Sequence, residues 1–96
     1  MQQKQIIFQQ EDLKPNFSNQ VNASLNSNEF TLDFYYDNPN SPITLIKRIA
    51  MSPGGAKGLV KLMEDLIRGY EKQHGKVEAI EQKSKIGFDT EDKASV

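Results

Sequence analysis

The sequence predicts a two-layer α+β domain, in which three or four antiparallel strands are followed by one long amphipathic helix lying across the sheet. Between residues 17 and 36 apolar residues alternate with polar ones, which is the period of strands with one buried face. From residue 56 to residue 70 apolar residues recur at three- and four-residue steps, which is the period of a helix with one apolar face. The folded domain is therefore expected to span residues 17–77 in the order β-β-β-α.

Residues 1–16 form a polar, glutamine-rich segment that precedes this domain. Ile6, Ile7 and Phe8 make a short apolar run within it. We expect this run to add an edge strand to the sheet, with a frayed tail as the alternative. Pro15 ends the segment, because proline lacks a backbone donor and disfavours helix at the residue before it.

The alternating region predicts a β-hairpin with one buried face. Asn26-Ser27-Asn28 is typical of a turn, because asparagine tolerates positive φ and bonds its own backbone. Several apolar side chains share one face of the two strands: Phe17, Val21, Ala23, Leu25, Phe30, Leu32, Phe34 and Tyr36. Thr31, Asp33 and Tyr35 point to the other face.

A third strand and the helix follow a loop at residues 37–42. Residues 43–50 are apolar on both faces, which is typical of a central strand or of one whose outer face meets a second subunit. Ser52 is expected to cap the helix and Pro53 to occupy its first turn. Gly75 is expected to end it. The charged tail at residues 78–96 is expected to be disordered, or to order on a partner.

Composition excludes several classes of protein. A chain of 96 residues with 36% hydrophobic content makes one domain with a thin core, which a partner subunit would help to stabilise. A net charge of −1 gives no overall field for nucleic acid or an anionic membrane. The absence of cysteine excludes disulfides and thiolate chemistry and fits the cytoplasm. No apolar run is long enough to span a bilayer, so we expect no membrane partner.

The start of the helix is the best candidate for a binding site. The first N–H groups of a helix are unpaired and its N-terminal end is positive, so anions bind there. The cations nearby, with no acidic residue between Ile43 and Met63, could hold phosphate, a carboxylate or a nucleic-acid backbone. Alternatively, the glycines let the helix pack tightly and the cations are solvated. The candidate anion-binding residues are Lys47, Arg48, Ser52, Gly54, Gly55, Lys57 and Lys61.

Other polar and aromatic residues favour structural roles. Asp33 and Arg48 are expected to form a cross-strand ion pair that fixes register. Tyr35 points away from the hairpin core and, beside Ile46, is expected to mark an outer apolar patch for an oligomer contact. His74 suits the end of the helix dipole and lacks the companions of a metal site. The hydroxyl groups have no visible base nearby, so we expect no enzyme and no cofactor.

Several short blocks resemble the domain of unknown function 3467 family of small prokaryotic proteins. The blocks are Phe17-Ser-Asn19, Asn28-Glu-Phe-Thr-Leu-Asp-Phe34, Arg48-Ile-Ala-Met-Ser-Pro53, Ala56-Lys57, and Tyr70-Glu71 with Gly75. The resemblance covers roughly residues 16–77. It implies a compact, strand-rich unit ending in one helix, in a bacterium or an archaeon, with no assigned activity and no catalytic residues to transfer.

Two functions are expected from these observations. The first is a small oligomeric protein-interaction module, with a chaperone-like or scaffold role and a homodimer or higher oligomer as its state. The thin core, the two-sided third strand and the tail favour it. The alternative is an anion or nucleic-acid binder that uses residues 47–61. In either case the identity of a protein partner lies beyond the sequence.

Overall fold

A three-stranded antiparallel sheet followed by one long helix makes up most of the described part of the chain. A computed structural model describes residues 3–82. The strands are β1 (Gln20–Leu25), β2 (Phe30–Tyr36) and β3 (Thr44–Met51), in the order β1-β2-β3, and the helix is α1 (Pro53–His74). This confirms the predicted α+β class and the predicted order of the elements.

The hairpin of β1 and β2 is closed at both ends by asparagine side chains. At the turn, the Oδ1 of Asn26 accepts hydrogen bonds from the N–H groups of Asn28 and Glu29, at 2.8 and 2.9 Å. At the open end, the side chain of Asn19 exchanges two hydrogen bonds with the backbone of Asp37. Both amides satisfy backbone groups that the strand ladder leaves unpaired, so the register of the hairpin is held from both sides.

A β-bulge in β3 changes which side chains share a face of the sheet. Phe34 lies opposite Lys47, whereas its neighbour Tyr35 lies opposite Leu45, so Ile46 is the extra residue of β3. Ile46 therefore lines the same cavity as Phe34 and Lys47, while Tyr35 lies on the other face. The expectation that Tyr35 and Ile46 form one outer patch was wrong, because strict alternation cannot anticipate an inserted residue.

The N-terminal segment forms a helical turn in place of the expected edge strand. Residues 3–9 have no regular structure, and a short 3₁₀ helix covers Gln10–Leu13. The N–H of Gln9 donates to Asp12 Oδ2 at 2.9 Å, which fixes this turn. Ile7 is 98% exposed. Three consecutive apolar residues supply no alternating face to pack on a sheet, which explains the absence of a strand there.

The helix leaves the sheet without packing on it. Within Pro53–His74, all of which the structure describes, no residue is buried. One residue, Ser52, joins β3 to α1, whereas strand-to-helix loops ordinarily have roughly two to six residues. With this short connection, the strands contact one another and α1 has few contacts with them. The expected second layer, with the helix lying across the sheet, does not form within one chain.

The segment after the helix returns to the free edge of β1. Gly75 has φ +90°, a conformation that residues with a side chain rarely adopt, and it ends α1. The N–H of Val77 donates to Glu71 Oε2 at 2.8 Å. Farther along, the Oε1 of Gln82 accepts from the N–H of Val21 at 2.7 Å. The predicted tail begins with this returning segment at residues 78–82, and its remainder, residues 83–96, lies outside the described residues.

Candidate functional site

A polar network occupies one face of the sheet. The guanidinium of Arg48 donates from Nε to Asp33 Oδ1 at 2.6 Å and from Nη2 to Asp33 Oδ2 at 3.0 Å. The hydroxyl of Tyr35 donates to Asp33 Oδ2 at 3.4 Å. These three residues share the face because Asp33 lies opposite Arg48 in the β2–β3 register and two residues from Tyr35 in β2. The predicted ion pair is therefore present, and it is bidentate.

Burial distinguishes this network from an ordinary surface ion pair. Asp33 and Gln20 are the buried polar residues among those described, and Tyr35, 2% exposed, is the buried hydrophobic one. Burial raises the pKa of the Tyr35 phenol, and the negative charge of Asp33 and the hydrogen bond to it raise that pKa further. Arg48 and Asn22 oppose this with smaller effects. The network therefore favours the protonated form of the Tyr35 phenol.

Arg48 is held by this network and does not face the helix start. Its hydrogen bonds with Asp33, and then the charge of Asp33, raise the pKa of Arg48. Lys47, its neighbour, lies opposite Phe34 and lines a cavity on the other face of the sheet. The structure therefore places these two predicted anion-binding residues on opposite faces, with Arg48 already bound to a carboxylate.

The helix start satisfies most of its own donors. The Oγ of Ser52 accepts from the N–H of Gly55 at 3.0 Å, as predicted for a cap. The carbonyl of Ser52 accepts from the N–H of Ala56 at 2.9 Å, and Pro53 has no N–H to offer. The N–H of Gly54 is the remaining donor of this turn. Lys57 and Lys61 are exposed one turn apart on the helix.

The cavity beside Lys47 lies between the N-terminal segment and the sheet. Its volume is about 380 Å³. Carboxylate, ammonium, amide and hydroxyl groups line it together with two apolar side chains, from Glu11, Asp12, Lys14, Asn16, Ser18, Phe34, Ile46 and Lys47. Because charges of both signs are present, the cavity does not select for an anion or a cation.

The apolar side of α1 is exposed, although the sequence predicted a helix lying across the sheet. Val60, Leu66 and Tyr70 are 57%, 59% and 56% exposed. Half-exposed apolar side chains thus continue along the helix instead of meeting the sheet. We call this surface the uncharged helix face, and it comprises Ala56, Leu59, Val60, Leu62, Met63, Leu66, Ile67 and Tyr70.

The charged residues of α1 all lie on the opposite side. At 100° per residue, the uncharged helix face and the charged residues occupy separate arcs of the helix. The charged residues are Lys57, Lys61, Glu64, Asp65, Arg68, Glu71 and Lys72. Arg68 pairs with Asp65 within this charged side. The separation leaves one whole side of the helix free of charge.

Among residues 3–82 no group of three histidine or acidic side chains lies close enough to hold a metal ion. The ring of His74 packs against that of Tyr70, with centroids 4.6 Å apart, which is a structural contact at the end of the helix. Within the same residues, no helix combines the length and apolarity needed to cross a membrane.

Comparison with known proteins identifies a family for this chain. A family model described as "Protein of unknown function (DUF3467)" matches residues 1–79, which include β1, β2, β3 and α1. No curated protein and no solved structure matches the chain. The family match extends farther towards the N-terminus than the resemblance in the sequence blocks, since it includes the 3₁₀ turn at Gln10–Leu13.

Proposed function

Because the chain belongs to the DUF3467 family, whose description assigns no activity, we propose from its own surface that it is a small protein-interaction module that works as an oligomer. One observation carries this proposal. The uncharged helix face is exposed along Pro53–His74, although its pattern is that of a buried helix. Exposed apolar patches of this extent mark interaction surfaces in soluble proteins.

The energetics of α1 support the same proposal. A helix gains most of its stability in proteins from packing an apolar face, and little of it from propensity alone. Four glycines lower the propensity of this helix further, by about 1 kcal/mol each relative to alanine. Within the described residues, Tyr35 is the single buried hydrophobic residue. Another protein surface is therefore needed to hold the helix in place.

Scaffold and chaperone-like roles use such a surface differently. A scaffold closes the uncharged helix face against a folded partner, whereas a chaperone offers it to unfolded chains. The regular spacing of the face favours the scaffold role, because a fixed 3.6-residue pattern suits a helical or flat partner of defined shape. We also propose that the protein is not an enzyme, since the buried carboxylate of Asp33 is held by Arg48. A cytoplasmic location in a prokaryote stays a prediction.

Light scattering coupled to size-exclusion chromatography tests the proposal. The wild-type chain, measured from low to high micromolar concentration, should have at least twice the mass of one chain at the upper concentrations. A mass that stays at one chain throughout, with no helix content gained on concentration, would overturn the oligomeric module.

A parallel assay of aggregation suppression on an unfolded client protein separates the scaffold role from the chaperone-like role. Suppression by the wild type favours the chaperone-like role.

Anion or nucleic-acid binding is the second candidate. The exposed Lys57 and Lys61, with the N–H of Gly54, still form a small positive patch at the positive end of the helix dipole. Lys57→Glu should weaken binding to a mixed oligonucleotide, and the affinity should fall with salt. Lys76→Glu, beyond the helix, is the matched control. No mobility shift at low salt would contradict this candidate.

A further inference from the structure

We propose that the uncharged helix face binds the same face of a second copy of this chain, with the two helices antiparallel. This inference rests on the proposed function and names its partner and its contact residues. The two-fold axis would cross the contact between the two helices at the level midway between Glu64 and Asp65. Met63 of one chain would then lie beside Leu66 of the other, and Leu59 beside Tyr70.

The spacing of the apolar residues matches a helix–helix contact. Ala56, Leu59, Met63, Leu66 and Tyr70 alternate three- and four-residue steps, which is the heptad spacing of helices that pack side by side. The steps extend over about two heptads, and those from Leu59 to Tyr70, of four, three and four residues, read the same in both chain directions. An interface between identical chains requires such a self-complementary pattern, because each patch must contact its own copy.

Side-chain size is also complementary in this arrangement. Leu62 would lie beside Gly69 of the second copy, and Val60 beside Ile67. Within one chain, a Cβ added at Gly69 meets no atom within 4 Å. The space above Gly69 is therefore open, and a leucine from the other helix would fill it. Small residues at a helix contact let two backbones approach closely.

Charge and area favour a second copy as the occupant. The charged residues of α1 would all stay in water, so no charge is buried. The antiparallel arrangement also places each helix dipole against its opposite. Six large side chains that are roughly half exposed would together remove on the order of 600 Å² per chain from water, which reaches the lower bound of specific interfaces.

The sheet offers the helix a weaker partner. Its apolar face is partly covered already, since Phe34 and Ile46 line the cavity beneath the N-terminal segment. Leu32, in the middle of that face, is half-buried rather than exposed. The exposed side chains of the strands, such as Leu25 and Ile49, are about 42% exposed and lie apart. The helix therefore exposes more apolar surface than the sheet does, and a second helix matches the spacing of its apolar residues.

Two helix variants test the surface. Leu66→Lys places a charge in the centre of the uncharged helix face and should raise the dimer dissociation constant at least tenfold. Glu64→Lys places a lysine at the same level of α1 but on its charged side, and it should leave that constant within about twofold. A dimer that Leu66→Lys leaves intact would overturn the inference while keeping the oligomeric module.

Single cysteines test the orientation, and the chain has none of its own. In the antiparallel pair, Ala56 lies beside Gln73 of the second copy, and the two Ala56 residues lie about 25 Å apart. A mixture of Ala56→Cys and Gln73→Cys chains should therefore form mixed disulfide dimers on oxidation, while Ala56→Cys alone should not cross-link. Cross-linking by Ala56→Cys alone would contradict the antiparallel arrangement. A wild-type chain that is monomeric overturns the proposed function as well.

Discussion

Arg48 holds Asp33 across the β2–β3 pair through two hydrogen bonds of 2.6 and 3.0 Å. Asp33 is buried, whereas the side chain of Arg48 is 48% exposed. The buried carboxylate of Asp33 is therefore paired with a guanidinium that is partly exposed to water. This relationship gives the sheet a polar side that fixes register, and loss of either partner would leave a polar group of this face without its main contact.

Removing the cation should destabilise the sheet. Arg48→Met leaves the carboxylate of Asp33 buried without its main donor, so the melting temperature should fall by several degrees. Arg68→Met, which breaks the exposed pair with Asp65, is the matched control and should change stability by less than about 0.5 kcal/mol. Thermal denaturation followed by circular dichroism measures both. Equal effects of the two variants would contradict the role of the buried pair.

Tyr35 should ionise above its ordinary value. Its pKa is raised from 10.0, so the folded state keeps the phenolic proton to higher pH than the unfolded state does. The resulting stability is fully present below pH 10.0 and is lost as the pH rises through the folded pKa. The difference between the tyrosinate absorbance titrations of the wild type and Tyr35→Phe isolates this group. A midpoint at or below 10.0 in the folded protein would contradict the burial of the phenol in the network.

The cap at Ser52 should contribute measurably to stability. Ser52→Ala removes the acceptor for the N–H of Gly55, and we expect a loss of about 1 kcal/mol. Ser27→Ala, at an exposed position in the β1–β2 turn, should change stability by less than about 0.5 kcal/mol. Urea denaturation at one fixed protein concentration compares them. A Ser52→Ala chain as stable as the wild type would show that the cap is dispensable.

Two glycines of the helix region should respond oppositely to alanine. Gly75→Ala forces a side chain into φ +90° and should cost about 1 to 3 kcal/mol. Gly58→Ala adds a methyl group in open space within a helix and should stabilise by about 0.5 to 1 kcal/mol. The same denaturation experiment measures both changes. Stabilisation by Gly75→Ala would mean that the helix does not end there.

Sequence periodicity predicted the strands, the helix and the cap, because each depends on neighbouring residues. Phe17 shows the limit: the alternation placed it in β1, but its ring packs on Tyr36, with centroids 5.9 Å apart, before the strand begins at Gln20. The bulge at Ile46 was missed because an extra residue has no composition signal. The unpacked helix was missed because an apolar face predicts burial without saying whether the same chain supplies the cover.

Amide hydrogen exchange at several protein concentrations tests the self-association of the uncharged helix face most directly. A helix with no partner unfolds locally and exchanges its amide hydrogens readily, whereas a paired helix is protected from exchange. Protection of the amides between Leu59 and Tyr70 should therefore rise with concentration, in step with the fraction of dimer, and more steeply than that of Asp33 in the central strand. Helix amides that exchange equally fast at every concentration, while the dimer fraction rises, would contradict the account.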